Sequence, residues 1–129
     1  MRVSEQTENQ IMAVLQRMAE AVADKDPDGA TALLDPDFLF IGPGEKALGV
    51  NGFCRRLERD FSRAETISVS LSDVLISAEG TVAWIVASLT CCVVAGGTPE
   101  AHGARMTAVL RGTGHAWIFV QVHISTMTA

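Results

Sequence analysis

Gly103-Ala104-Arg105-Met106-Thr107-Ala108-Val109-Leu110-Arg111 and Trp117-Ile118-Phe119-Val120-Gln121-Val122-His123-Ile124-Ser125 are two β-rich runs joined by a short Gly112-Thr113-Gly114 turn. Their branched and aromatic residues suit a pleated, half-buried surface. Arg105, Gln121 and His123 interrupt the apolar residues. A polar side chain on a buried strand needs a partner, a ligand or a reaction to offset its lost hydration. The pair therefore predicts a polar pocket inside a small α+β domain.

Upstream, Thr81 to Val94 is a long apolar run entered through a Glu79-Gly80 turn, and it predicts a central strand. Gly96-Gly97-Thr98-Pro99 predicts the loop that follows it. Ile67, Val69 and Leu71 alternate with Ser68, Ser70 and Ser72, the mark of a half-buried strand. Before Ala64 the period changes. Ile11, Val14, Leu15, Met18 and Val22 recur at helical spacing within roughly the first 24 residues. Asp26-Pro27 starts a short second helix ending at Asp35-Pro36, and Phe38-Leu39-Phe40-Ile41 predicts a short strand stopped by Gly42-Pro43-Gly44. A third helix is expected from about Val50 to Arg63, with Phe53, Leu57 and Phe61 on one side.

The chain of 129 residues fits one domain, residues 1–129, and can bury enough surface to stand without disulfides or metal. Hydrophobic residues make up 48% and charged residues 19%, which excludes a disordered chain. The net charge of −5 argues against a nucleic-acid partner, because phosphate binding needs a basic face. Arg55, Arg56, Arg59 and Arg63 are interleaved with Glu58, Asp60 and Glu65, the pattern of a solvated helix face with local ion pairs. No apolar run is long enough to span a bilayer, and the polar start at Ser4-Glu5-Gln6 predicts a cytoplasmic chain without a signal peptide. Cys54, Cys91 and Cys92 form no C-x-x-C motif and read as small buried hydrophobes. The three histidines lack metal-ligand spacing, and His102 and His115 sit beside turns and read as solvated. No metal or cofactor is expected.

The order of elements resembles the NTF2-like superfamily, the cone-shaped α+β fold, and its SnoaL-like branch. The resemblance rests on Asp37-Phe38-Leu39-Phe40-Ile41-Gly42-Pro43-Gly44 before a helix, on Val82-Ala83-Trp84-Ile85, and on Arg105 to Arg111 followed by Trp117 and a Gln-x-His-x-Ser ending. That ending is also similar to the association domain of calcium/calmodulin-dependent kinase II. The resemblance implies three N-terminal helices packed on a curved, mostly antiparallel sheet. It implies no single activity, because the superfamily includes isomerases, dehydratases, cyclases and proteins without catalysis. The catalytic aspartate of ketosteroid isomerases, just before a proline, would fall on Gly42, and their second acid near Thr107. Isomerase chemistry with those two acids is therefore not expected.

In such a fold one sheet face encloses a cavity and the other packs on a second subunit. Strict alternation along the strands groups Trp117, Phe119, Gln121, His123 and Ser125 on one face, with Arg105, Thr107 and Val109, and Trp84, Val86 and Ser88. We assign this polar-bearing set to the cavity and Ile118, Val120, Val122 and Ile124 to a homodimer interface through the outer sheet face; the reverse assignment is the alternative. Arg105 would then bind an acidic group on a small ligand, or pair with Asp37, Asp73 or Glu100. His123 is a candidate general acid or base, or a hydrogen-bonded core residue between Gln121 and Ser125. Asp37 is a candidate base or a turn residue. Gln121, Thr107, Ser125, Trp84 and Phe119 complete the expected site for a small, partly apolar molecule, handled by cofactor-free proton transfer or only bound.

Overall fold

The computed structural model describes residues 3–126. Helix α1 spans Glu5–Ala23; the Ser4 hydroxyl accepts the Thr7 N–H at 3.1 Å, and Glu5 and Glu8 sit favourably in the first turn. Its apolar stripe, Ile11, Val14, Leu15 and Val22, is buried. Lys25 ends the helix in the left-handed region and donates from Nζ to the Ala64 carbonyl, tying this corner to the end of the third helix. Helix α2, Pro27–Thr31, has Pro27 in its first turn and is capped by Asp26, whose carboxylate accepts the Gly29 N–H at 2.9 Å. Helix α3 covers Val50–Arg63, as its spacing predicts, with Phe53, Leu57 and Phe61 buried.

Strand β1 runs Leu34–Ile41, β2 Thr66–Glu79, β3 Val82–Ala95, β4 Thr98–Gly112 and β5 Trp117–Thr126. They form one sheet in the order β1-β5-β4-β3-β2, antiparallel except for the β1–β5 pair. The early strand begins at Leu34, four residues before the expected Phe38, because Leu34 already pairs with Phe119. Asp35-Pro36-Asp37 is thus strand rather than turn: the Asp35 carboxylate accepts the Asp37 N–H at 2.8 Å and the Arg111 guanidinium at 2.7 and 3.1 Å. These contacts hold the Asp35 carboxyl below the usual carboxylate range, the Asp37 N–H first and Arg111 second. Between β3 and β4 the turn is only Gly96-Gly97, both at positive φ, so Thr98 and Pro99 are already paired strand residues.

The helices cover one face of the sheet. That face presents Ala83, Ile85, Ala87 and Leu89 of β3, Ala104, Met106, Ala108 and Leu110 of β4, and Phe119 and Val122 of β5, all buried. Alternation is broken on β5. Leu110 pairs with Phe119, but the next residue, Val109, pairs with Gln121, which leaves Val120 as a bulge. A second bulge lies between Ser72 and Leu75 of β2, where Asp73 has a positive φ. Among the described residues no helix is long and apolar enough to cross a membrane.

Candidate functional site

Between the helices and the covered sheet face lies a cavity of about 370 Å³, at the small end of the range typical of ligand pockets. Its inner wall is apolar: Leu15, Phe38, Phe53, Phe61, Met106 and Phe119 are among the side chains that build it. Phe53 holds the aromatic wall together, with its ring centroid 5.3 Å from Phe38 and 4.9 Å from Phe40. Polar groups gather at one end. There Pro43, Arg56 and Asp60 meet the ends of three strands, at Cys91, at His102 and Gly103, and at Thr126. Pro43, His102, Gly103 and Thr126 are exposed, so this end is the mouth.

Helix α3 builds the mouth by its own periodicity. Arg56 and Asp60 each follow an apolar anchor by three residues, Phe53 and Leu57, and so flank the buried stripe. The Arg56 guanidinium stacks over Phe40, 5.1 Å from the ring centroid, and pairs with Glu45; its Nε stands 3.7 Å from Asp60 Oδ2. Gly42 makes room for this pair. A methyl group there would lie 2.7 Å from Arg56 Nη1 and 2.7 Å from Glu45 Oε1. The position where the isomerase resemblance would put an aspartate is thus bordered by an arginine–glutamate pair.

His102 enters from β4 opposite Cys91 of β3, and its Nε2 lies 3.3 Å from Glu100. Burial pushes the Cys91 thiol up, and Cys92 and Asp60 add to the shift. Cys91 therefore stays a neutral thiol at neutral pH and is a weak nucleophile. Among the described residues no group of three or more His, Cys, Asp or Glu is placed to hold a metal ion.

Of the side chains expected in the cavity, Phe119 alone lines it. Arg105, Thr107, Gln121, His123 and Ser125 are exposed on the opposite sheet face, and so is Trp84. They do form one patch, since Thr107 pairs with His123, Arg105 with Ser125 and Val109 with Gln121. The correction has a physical reason. The sheet buries its small and aliphatic residues against the helices, where a guanidinium would lack water, and the bulge at Val120 turns Gln121 and His123 away from Phe119. Among the described residues Arg105 forms no ion pair, with Asp37, Asp73 or Glu100 or with any other acid. Asp37 is exposed and apart from the cavity. The expected interface set also divides: Val122 is buried and Ile124 lines the cavity, while Ile118 and Val120 are half-buried.

Arg56, Asp60 and His102 were not among the expected site residues. The signal for the first two is their three-residue offset from Phe53 and Leu57. For His102 it is the period of two counted back from Met106 and Ala104.

Residues 11–129 match the model of the SnoaL-like domain. No curated protein matches the sequence at a significant level. Similar solved structures include a "putative dehydratase" of the NTF2-like family from Streptomyces avermitilis, 18% identical, covering 98% of this chain and 100% of that one, with a TM-score of 0.90. Another is a "putative scytalone dehydratase" from Novosphingobium aromaticivorans, 13% identical over 95% of this chain and 85% of that one, TM-score 0.88. A third is an NTF2-like superfamily protein from Salmonella enterica serovar Typhimurium, 17% identical over 98% and 95%, TM-score 0.87. At these identities the likeness shows the fold. With the family match over most of its length, the chain belongs to the SnoaL-like domain family, and it has the fold of the NTF2-like structures.

Proposed function

We propose that this protein binds a small, largely apolar molecule in the cavity between its helices and sheet, without a cofactor. One observation carries the reading: a cavity of about 370 Å³ has an apolar interior and gathers Arg56, Asp60 and His102 at an end where the strand termini are exposed. A ligand there would bury its body among Phe38, Phe53, Phe61 and Phe119 and leave one polar end at the mouth. The outward position of Arg105 removes the reason for expecting an acidic ligand. Native mass spectrometry of the purified protein tests this reading. Retention of an apolar small molecule, or its uptake from a library of uncharged aromatics, is the expected result; a protein that never takes up such a compound contradicts it.

Cofactor-independent proton transfer, of isomerase, dehydratase or cyclase type, is a second reading. The placement of two titratable groups, Asp60 and His102, on the cavity wall favours it. Asp60→Asn and His102→Gln would then abolish turnover of a bound substrate while binding persists. Unchanged turnover in both variants would leave binding alone.

We also propose a homodimer through the outer sheet face, on a different set of residues from the expected one. Leu75 is 69% exposed, and Trp84 and Val86 are each 41% exposed. The register sets Leu75 against Val86 across β2 and β3, so these residues form one patch. Apolar side chains grouped this way on an exposed face commonly mark an interface. Sedimentation at micromolar concentration should show a dimer that Trp84→Glu dissociates; a monomeric wild-type protein would refute it.

A further inference from the structure

Arg56 and Asp60, which line the cavity mouth, already face charges of opposite sign. Glu45 faces Arg56, Asp60 stands between Arg56 at 3.7 Å and Arg59 at 3.9 Å, and Glu100 faces His102 at 3.3 Å. What is left over is hydrogen-bonding capacity. Both Asp60 contacts exceed hydrogen-bond distance, and among the described residues neither of its oxygens accepts a hydrogen bond. Arg56 engages Glu45 through Nη1 and faces Asp60 through Nε, and among the described residues its Nη2 makes no bond. An open acceptor and an open donor thus flank the rim of an apolar cavity.

A ligand end that adds charge fares badly there. A carboxylate would meet Asp60 as well as Arg56, and an ammonium would meet Arg56 as well as Asp60, the two charged side chains of the cavity lining. An uncharged hydroxyl meets neither penalty: its O–H can donate to Asp60 and its oxygen can accept from Arg56. Hydrogen bonds to charged groups are the stronger kind.

We propose, resting on the cavity-binding reading above, that Asp60 and Arg56 select an apolar compound ending in an uncharged hydroxyl, with Asp60 as the residue that decides specificity. The cavity wall supplies affinity for the apolar body without regard to its end group. The mouth supplies the discrimination.

The test is calorimetric titration at pH 7 with four naphthalene probes: naphthyl-ethanol, naphthyl-acetate, naphthyl-ethylamine and ethylnaphthalene. The alcohol should bind tightest, roughly tenfold above either charged probe, the scale of one hydrogen bond to a charged group. Asp60→Ala should weaken the alcohol by a similar factor and leave ethylnaphthalene unchanged. A carboxylate or amine that binds tightest overturns the inference while the cavity reading stands. An alcohol affinity indifferent to Asp60→Ala does the same. Failure of all four probes, ethylnaphthalene included, overturns both.

Discussion

Phe119 and Gln121 stand two residues apart on β5 and face opposite sides of the sheet. Phe119 pairs with Leu110 and is buried in the cavity wall, whereas Gln121 pairs with Val109 and is exposed. The bulged Val120 between them sets which side chains of this strand meet a ligand. Phe119→Ala should therefore cost about 3–5 kcal/mol in urea unfolding, the usual loss for a buried phenylalanine. Gln121→Ala should cost less than about 1 kcal/mol. Equal losses would mean that the two residues share an environment.

Gly42 is expected to act through the Arg56–Glu45 pair. Gly42→Ala would push aside the flexible ends of both side chains and crowd Phe40, 3.1 Å away. The stability cost should be modest, about 1 kcal/mol, because those ends can move. Coupling is the sharper readout. In a double-mutant cycle, Gly42→Ala and Glu45→Gln should be non-additive, since each disturbs the same pair. Simple additivity would show that the pair does not occupy the space beside Gly42.

The Asp35–Arg111 pair predicts a pH signature. Asp35 has a depressed pKa when folded, so its contribution is present above the unfolded value, about 4, and is lost as pH falls through the lower folded value. Arg111→Met moves the folded value back toward the ordinary one. The variant should be less stable than wild type at pH 7, and the gap should close as the solution is acidified below about pH 4. Parallel stability curves would contradict this account of Asp35.

Cys91 offers a footprint of cavity occupancy. Its thiol faces the cavity and is held protonated by burial, whereas Cys92 is exposed. Iodoacetamide at neutral pH should modify Cys92 faster than Cys91, as read by peptide mass spectrometry. An apolar ligand should slow the Cys91 reaction further and leave Cys92 unchanged. Protection of both thiols, or of neither, would place the ligand elsewhere.

Much of the fold was legible because it follows from periodicity. The stripe of Phe53, Leu57 and Phe61 sets α3, and the alternation of Ile67, Val69 and Leu71 sets β2. The sheet's phase was not legible. On β3 the outward set of Trp84 and Val86 is about as apolar as the inward set of Ala83 and Ile85, so alternation alone cannot say which faces the helices. A bulge such as Val120 leaves no residue signature and inverts everything after it. The start of β1 was hidden for another reason: Asp35-Pro36-Asp37 has the composition of a turn, and the partners of this segment, Phe119 beside Leu34 and Arg111 beside Asp35, lie far along the chain. The mouth residues looked like solvent-facing charge because ion pairs on a helix and at a cavity rim share one pattern.

The cavity itself can be tested most directly with the uncharged fluorescent probe phenyl-naphthylamine, titrated into wild-type protein and into Ile124→Trp, whose larger side chain should fill part of the cavity from β5. Circular dichroism would confirm that both remain folded. The account predicts one saturable site in the wild-type protein, weakened at least about tenfold in the filled variant, the scale of excluding an apolar ring from burial. Equal binding by the two folded proteins, or none by the wild type, would contradict it.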